Sequence, residues 1–138
     1  MYKHILVTLE ATPTDRAIID HVKMLAGGIG ADVSLLHVAT GVPALMHGKA
    51  AVGEEIEEDQ KYLNDVTAEF QSAGISTKCE LAYGDPVKEI IKWVNRTPCD
   101  LLAMSTHGHK MVADLLLGAT ASRVQHSLTV PVLMLRAK

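Results

Sequence analysis

The sequence is poor in aromatic residues, has no excess of positive charge and contains no long hydrophobic run. One Trp, one Phe and three Tyr among 138 residues leave no platform on which the bases of a single strand could stack. A formal net charge of -3 provides no basic surface for a phosphate backbone. No stretch approaches the roughly 20 apolar residues of a membrane-spanning helix. We therefore expect neither a nucleic-acid partner nor insertion into a membrane.

Cysteine is scarce as well. Cys79 and Cys99 have neither C-x-x-C spacing nor the spacing of a zinc site, and two cysteines do not make a disulfide scaffold. The apolar run over residues 5–9 is far too short for the hydrophobic region of a signal peptide. These features predict a cytoplasmic protein.

What the sequence does contain is a series of short apolar segments. Residues 5–9 and 33–38 are nearly continuous apolar runs, typical of central strands buried on both faces. Residues 77–83 alternate between polar and apolar side chains, which predicts an edge strand. Residues 100–105 and 130–135 complete a set of five predicted strands.

Amphipathic helices separate these strands. Thr12 and Pro13 have the residue types of a helix start, an N-cap followed by proline at the first helical position. The apolar stripe that follows predicts a first helix ended by Gly27, Gly28 and Gly30.

The remaining helices follow the same pattern. Residues 41–53 are rich in glycine and predict a mobile loop, after which residues 54–72 resume helical spacing. Asp85 and Pro86 begin a third helix as its N-cap and first residue. A fourth helix begins at Gly118.

Strands that alternate with helices require a parallel sheet with right-handed crossovers and helices on both faces. We expect an α/β protein with a single domain over residues 1–138. Its fold is predicted to be a doubly wound sandwich, in which a five-stranded parallel sheet of order 3-2-1-4-5 carries two helices on each face.

Ligands of such sheets bind at the carboxyl ends of the strands, where the strand order reverses. The residues at those positions are Thr8, Leu9, Glu10, Val38 and residues 104–108. Glu10 is the only carboxylate directly after the first strand. It either accepts hydrogen bonds from ribose hydroxyls or is a solvated carboxylate of a turn.

The loop after the fourth predicted strand resembles an anion site. Gly108 and Gly118 are separated by nine residues, and a helix N-terminus offers free amides and a favourable dipole to phosphate. His109 and Lys110 either add positive charge there or are ordinary loop residues, and Gly108 equally suits a left-handed turn. The first turn of the last helix would contribute the amides of Ala119, Thr120 and Ala121.

The sequence offers no obvious catalytic or metal constellation. His107 and His109 lack a clear third ligand, whereas structural zinc takes four. His37 lies inside an apolar strand and is interpreted as a hydrogen-bonded core histidine. Asp15 and Asp85 are interpreted as caps or helix starts and not as an acid/base pair.

Taken together, these segments resemble the universal stress protein family over essentially the whole chain. The resemblance lies in Lys3-His-Ile-Leu-Val7, Ser34-Leu-Leu-His-Val38, Gly84-Asp-Pro86, Asp100-Leu-Leu-Ala-Met-Ser-Thr-His-Gly108, Leu115-Leu-Leu-Gly118 and Val130-Pro-Val-Leu133.

Family members that bind ATP carry Gly, two residues, Gly, nine residues, Gly and then Ser or Thr. Those positions fall on Ser105, Gly108, Gly118 and Ala119 here, so the spacing is intact and two residues differ. Ala119 lacks the hydroxyl that would bind phosphate, and Met111 adds bulk to the phosphate loop. The acidic residue after the first strand, usually Asp, is Glu10. These departures predict weakened rather than abolished binding.

The resemblance implies adenine near Val38 and Met104, ribose near Thr8 and Glu10, and phosphates against residues 108–111 and 118–121. It also implies a homodimer joined through the last strand, which begins at Val130 and ends at Leu135.

The predicted function is that of a stress-response regulator or sensor that binds ATP or AMP, with or without magnesium, and hydrolyses ATP slowly at most. The alternative is a family member without nucleotide, acting as a protein-interaction dimer whose loop over residues 41–53 contacts a regulatory partner. A nucleotide-processing enzyme would need a catalytic acid or base, for which only His107 or His109 is available.

Overall fold

The computed structural model of the protein describes residues 2–39, 49–105 and 128–136. Its centre is a five-stranded sheet in which every pairing is parallel and the order is β3-β2-β1-β4-β5. The predicted strand order and the edge position of the third strand are confirmed. The strands are β1 His4–Leu9, β2 Asp32–Ala39, β3 Thr77–Tyr83, β4 Leu101–Ser105 and β5 Val132–Leu135.

Three helices lie in the described part of the chain: α1 Arg16–Ile29, α2 Lys49–Ser72 and α3 Pro86–Arg96. A single 3-10 turn, Pro13–Asp15, precedes α1, with Thr12 as its N-cap. Asp85 caps α3 as predicted, since its carboxylate accepts a hydrogen bond from the amide of Lys88 at 3.0 Å. None of these described helices has an apolar stretch long enough to cross a bilayer.

The first helix ends later than predicted. It continues through Gly27 and Gly28 to Ile29, and only Gly30, with φ of 74°, ends it in the left-handed conformation. Glycine costs about 1 kcal/mol in a helix interior, which packing can offset. Here Ala26 is buried and Ile29 packs against the core on either side of the two glycines.

The second helix begins earlier than predicted. It starts at Lys49 rather than Glu54, so the expected loop over residues 41–53 is wrong for its last part, and residues 40–48 lie outside the described residues. Gly53 lies inside this helix. One glycine costs too little to interrupt a long helix.

Two apolar cores cover the two faces of the sheet. Ile5, Val7 and Leu9 of β1 pack with α1 and α2, whereas Leu6 of the same strand packs on the other face with α3. This alternation follows from the pleat of a strand. Two helices therefore cover one face as predicted, while the helix predicted from Gly118 lies outside the described residues.

Candidate functional site

A cleft of about 280 Å³ opens at the carboxyl ends of β1, β2 and β4. The strand order reverses at β1, because the chain passes from β1 to β2 on one side and returns to β4 on the other. Clefts at such switch points are the usual ligand sites of open parallel sheets. The lining residues are Thr8, Leu9, Glu10, Ala11, Leu36, His37, Val38, Ala39, Glu55, Asp59, Pro86, Val87, Ile90 and Met104.

One wall of the cleft is apolar and firmly packed. Leu36, Val38, Ile90 and Met104 belong to the core that joins β2, β4 and α3, and all four are at most 8% exposed. Their positions are set by that core, since close-packed side chains have little freedom to move. Such a wall suits a flat apolar ring.

The segment after β1 is held by a buried carboxylate, that of Asp15. Asp15 is only 1% exposed. Its Oδ1 accepts the amide of Glu10 at 3.0 Å, and its Oδ2 accepts the amides of Ala11 at 2.9 Å and Thr12 at 3.4 Å. The interpretation of Asp15 as part of a helix start is correct but incomplete. Its carboxylate also accepts hydrogen bonds from Glu10 and Ala11, which line the cleft.

A fourth donor reaches Asp15 from a distant helix. The phenol of Tyr62, on α2, donates to Oδ2 at 2.6 Å. Burial first, and then this hydrogen bond, raises the pKa of Tyr62 above its ordinary value. The phenol therefore stays protonated and remains a donor at neutral pH.

His37 joins β2 to the end of β1. Its Nδ1 lies 2.8 Å from the carbonyl oxygen of Leu9, and its Nε2 lies 3.5 Å from Oδ2 of Asp59 on α2. A carbonyl oxygen only accepts, so Nδ1 carries the hydrogen. The interpretation of His37 as a hydrogen-bonded buried histidine is confirmed, although it also lines the cleft.

The backbone bends sharply between these contacts. Ala11 has φ of 61°, and among the described residues it is the only non-glycine residue with positive φ. L-residues avoid this region because Cβ approaches the following carbonyl oxygen. The hydrogen bonds to Asp15 on both sides of the bend hold this conformation.

Five of the predicted site residues line the cleft, namely Thr8, Leu9, Glu10, Val38 and Met104. Glu10 is half-buried, and its Oε2 accepts a hydrogen bond from the hydroxyl of Thr14 at 3.4 Å. Ser105 ends β4, is 4% exposed and is not among the residues that line the cleft. The other predicted residues lie outside the described residues: Gly108, His109, Lys110, Met111, Gly118, Ala119, Thr120 and Ala121.

Sequence reasoning missed the contribution of two helices. Glu55 and Asp59 enter from α2, and Pro86, Val87 and Ile90 enter from the start of α3. The start of α3 could have been foreseen, because it follows β3 directly at the same sheet edge. The residues of α2 carried no such signal, since a stretch of glycine-rich sequence separates them from β2.

Metal ligands do not converge in the described part of the chain. No group of three His, Cys, Asp or Glu side chains is placed there to hold a metal ion. His107 and His109 lie outside the described residues.

The order of the sheet and the cleft at its switch point define the class as a doubly wound α/β protein with a cleft at the carboxyl edge of the sheet. A sequence model described as the universal stress protein family matches residues 1–136. The chain belongs to that family.

One relative resembles this chain in both sequence and fold. Universal stress protein MJ0577 of Methanocaldococcus jannaschii is 26% identical over 157 residues, an alignment that covers 100% of this chain and 97% of the relative. Its solved structure superimposes with a TM-score of 0.82, covering 100% of this chain and 98% of that one.

Two more distant structures share the fold and carry nucleotides. A family protein of Arabidopsis thaliana with AMP bound is 15% identical, has a TM-score of 0.66, and covers 99% of this chain and 92% of its own. A universal stress protein in complex with cAMP is 18% identical, has a TM-score of 0.71, and covers 99% of each chain.

Proposed function

We propose that the protein binds an adenine nucleotide, AMP or ATP, and acts as a nucleotide-dependent regulator or sensor in a stress response. The observation that carries this proposal is the cleft itself. It combines an apolar wall with the carboxylate of Glu10 at the switch point of the sheet. The AMP and cAMP complexes of proteins with this fold support the same ligand class.

The polarity of the cleft suggests how the ligand lies. Adenine would stack on the apolar wall between Val38 and Met104, where burial removes its faces from water. Ribose would lie toward Thr8 and Glu10, because a carboxylate accepts hydrogen bonds from vicinal hydroxyls. The phosphates would extend toward residues 108–111 and 118–121, which lie outside the described residues.

We propose binding rather than rapid turnover. Among the described residues of the cleft, His37 is the histidine available as a general base. Its Nδ1 is committed to the carbonyl oxygen of Leu9, and its Nε2 faces Asp59. Both ring nitrogens therefore face other groups of the protein, and we expect any ATP hydrolysis to be slow.

Calorimetric titration of the purified protein with AMP, with ATP, and with ATP plus magnesium tests this function. Glu10→Gln keeps the size of the side chain but removes its charge, and should weaken AMP binding about tenfold, the value of a hydrogen bond to a charged group. Glu58→Gln is the matched control, since Glu58 is an exposed residue of α2 outside the cleft. Absence of binding at millimolar nucleotide would overturn the proposal.

We also propose a homodimer formed through β5. All four residues of this edge strand are apolar and half-buried. An edge strand with hydrophobic side chains favours pairing with another chain. The carbonyl of Pro131 accepts from Leu102, so by alternation the amide of Met134 points away from β4. Met134→Pro should therefore give a folded monomer in sedimentation equilibrium. A persisting dimer would place the interface elsewhere.

The second candidate is a protein-interaction dimer without nucleotide. It is favoured by Ser105 and Ala119, which stand where the nucleotide-binding motif has glycine and a hydroxyl residue. The same titration separates the two candidates, because only the first predicts saturable heat with AMP or ATP.

A further inference from the structure

We infer that Asp15 and Tyr62 are positioning residues for the candidate ribose-binding carboxylate of Glu10. The inference rests on the proposed nucleotide function and extends it to two residues outside the cleft lining. Asp15 fixes the backbone that carries Glu10, and Tyr62 fixes Asp15 from α2.

The burial of Asp15 separates it from an ordinary helix cap. A cap at a helix start is usually accessible to water, whereas Asp15 is 1% exposed. An ionised carboxylate is stable at such a site only when hydrogen-bonded donors replace its water. Three consecutive amides and the phenol of Tyr62 serve as those donors, and the amides belong to Glu10, Ala11 and Thr12.

The position of these amides determines where Glu10 lies. Three successive amides can converge on one carboxylate only if the chain turns around it, and Ala11 makes that turn with φ of 61°. An alanine does not adopt this conformation without compensation. Asp15 therefore selects the backbone conformation in which Glu10 lines the cleft.

Helix α2 holds the same segment at a second point. Asp59 and Tyr62 are three residues apart on α2 and hence lie on one face of it. Tyr62 acts on the amides through Asp15, while Asp59 faces His37, which binds the carbonyl of Leu9. The segment after β1 is thus attached to α2 through its amides, while the carbonyl at the end of β1 is bound by a histidine that faces α2.

Tyr62 allows a clean test because its side chain is not part of the cleft. It lines a neighbouring shallow hollow with Ala11, Thr12 and Pro13. Tyr62→Phe removes one hydroxyl and leaves every residue that lines the cleft unchanged. Tyr83→Phe is the matched control, since Tyr83 is an exposed residue at the end of β3 and does not line the cleft.

The experiment is calorimetric titration with AMP of the wild type, Tyr62→Phe, Glu10→Gln and the double variant. We expect Tyr62→Phe to weaken AMP binding about five- to tenfold, less than the loss of a whole charge-assisted hydrogen bond because three amides still hold Asp15, and Tyr83→Phe to change nothing. In the Glu10→Gln background, Tyr62→Phe should have no further effect, because the two residues act through one contact. Asp15→Asn should weaken binding at least as much as Tyr62→Phe.

A ligand control distinguishes positioning from general damage. An AMP analogue whose ribose lacks both hydroxyls should bind the wild type and Tyr62→Phe equally well, since Glu10 has no hydroxyl to accept from. The inference is overturned if Tyr62→Phe lowers the free energy of unfolding but leaves AMP affinity unchanged. It is equally overturned if the loss is the same in the Glu10→Gln background. A wild type that binds no AMP would overturn the proposed function and this inference together.

Discussion

Both ends of β1 are held by a carboxylate outside the strand, but the two contacts differ in their access to water. At the amino end, Asp100 accepts the amides of Lys3 at 2.8 Å and His4 at 3.0 Å and is partly exposed. At the carboxyl end, Asp15 binds the segment that begins at Glu10 and is 1% exposed.

The difference matters because water can replace an exposed hydrogen-bond partner but not a buried one. The amino end is closed by direct contacts between strands, such as the hydrogen bond of His4 to Ser34 at 2.7 Å. The carboxyl end opens into a cleft, so its backbone needs an internal partner to keep one conformation. A carboxylate that accepts backbone amides therefore contributes little at the amino end of β1. At the carboxyl end, the same kind of contact fixes the backbone that lines the cleft.

Among single substitutions at the two ends of β1, Asp15→Ala should cost the most stability. It leaves three buried amides and the phenol of Tyr62 without their acceptor, so we expect the free energy of unfolding to fall by about 3–5 kcal/mol. Urea unfolding followed by circular dichroism measures the change. Asp20→Ala is the control, because Asp20 is an exposed carboxylate of α1 paired with Arg16, and its loss should cost less than about 0.5 kcal/mol. A cost for Asp15→Ala as small as that of Asp20→Ala would show that water reaches this end of the strand.

The corresponding change at the amino end is Asp100→Ala. The amides of Lys3 and His4 would lose their acceptor near the surface, where water is available. We expect a loss of about 1 kcal/mol in the same unfolding measurement, clearly below that of Asp15→Ala. Equal losses would show that access to water does not distinguish the two ends of β1.

The fold was predictable from sequence because its signals are local. Continuous apolar runs indicated that β1 and β2 lie inside the sheet. The alternation of polar and apolar residues indicated that β3 lies at its edge. The helix bounds were less predictable. Gly27 and Gly53 are helical because packing of the surrounding helix outweighs the modest cost of one glycine, which local pattern does not reveal.

The candidate site was predictable only in its strand-borne half. Glu10 follows β1, and Val38 and Met104 lie one residue before the ends of β2 and β4, so the rule for parallel sheets locates them. The contacts of Asp15 with Tyr62 and of His37 with Asp59 join residues far apart in sequence. Such pairs depend on how α2 packs, and no spacing rule connects them.

A smaller effect is expected from pH at the amino end. Burial first, and then the positive charge of Lys78, lowers the pKa of His4 from its ordinary value near 6.5. The unfolded chain therefore takes up a proton at higher pH than the folded protein does, and stability is lost as pH falls below about 6.5. Urea unfolding at a series of pH values should show this decline, and His4→Gln should reduce it. An unchanged decline in His4→Gln would assign the pH dependence to other groups.

The smallest change tests whether the bend beside the cleft is strained. In Ala11→Gly the left-handed conformation of Ala11, which costs an L-residue about 1–2 kcal/mol, becomes free of steric conflict. Glycine also makes the unfolded chain more flexible, at a cost of about 0.4–1 kcal/mol, so the expected net gain in unfolding free energy is about 0.5 kcal/mol. Ala17→Gly is the matched control, because Ala17 lies in the first turn of α1, where glycine should lower stability by up to about 1 kcal/mol. If Asp15 holds the bend against its strain, the gain from Ala11→Gly should be smaller in an Asp15→Asn background, because the segment can then leave the strained conformation. A gain that is the same in both backgrounds would mean that the bend forms without Asp15.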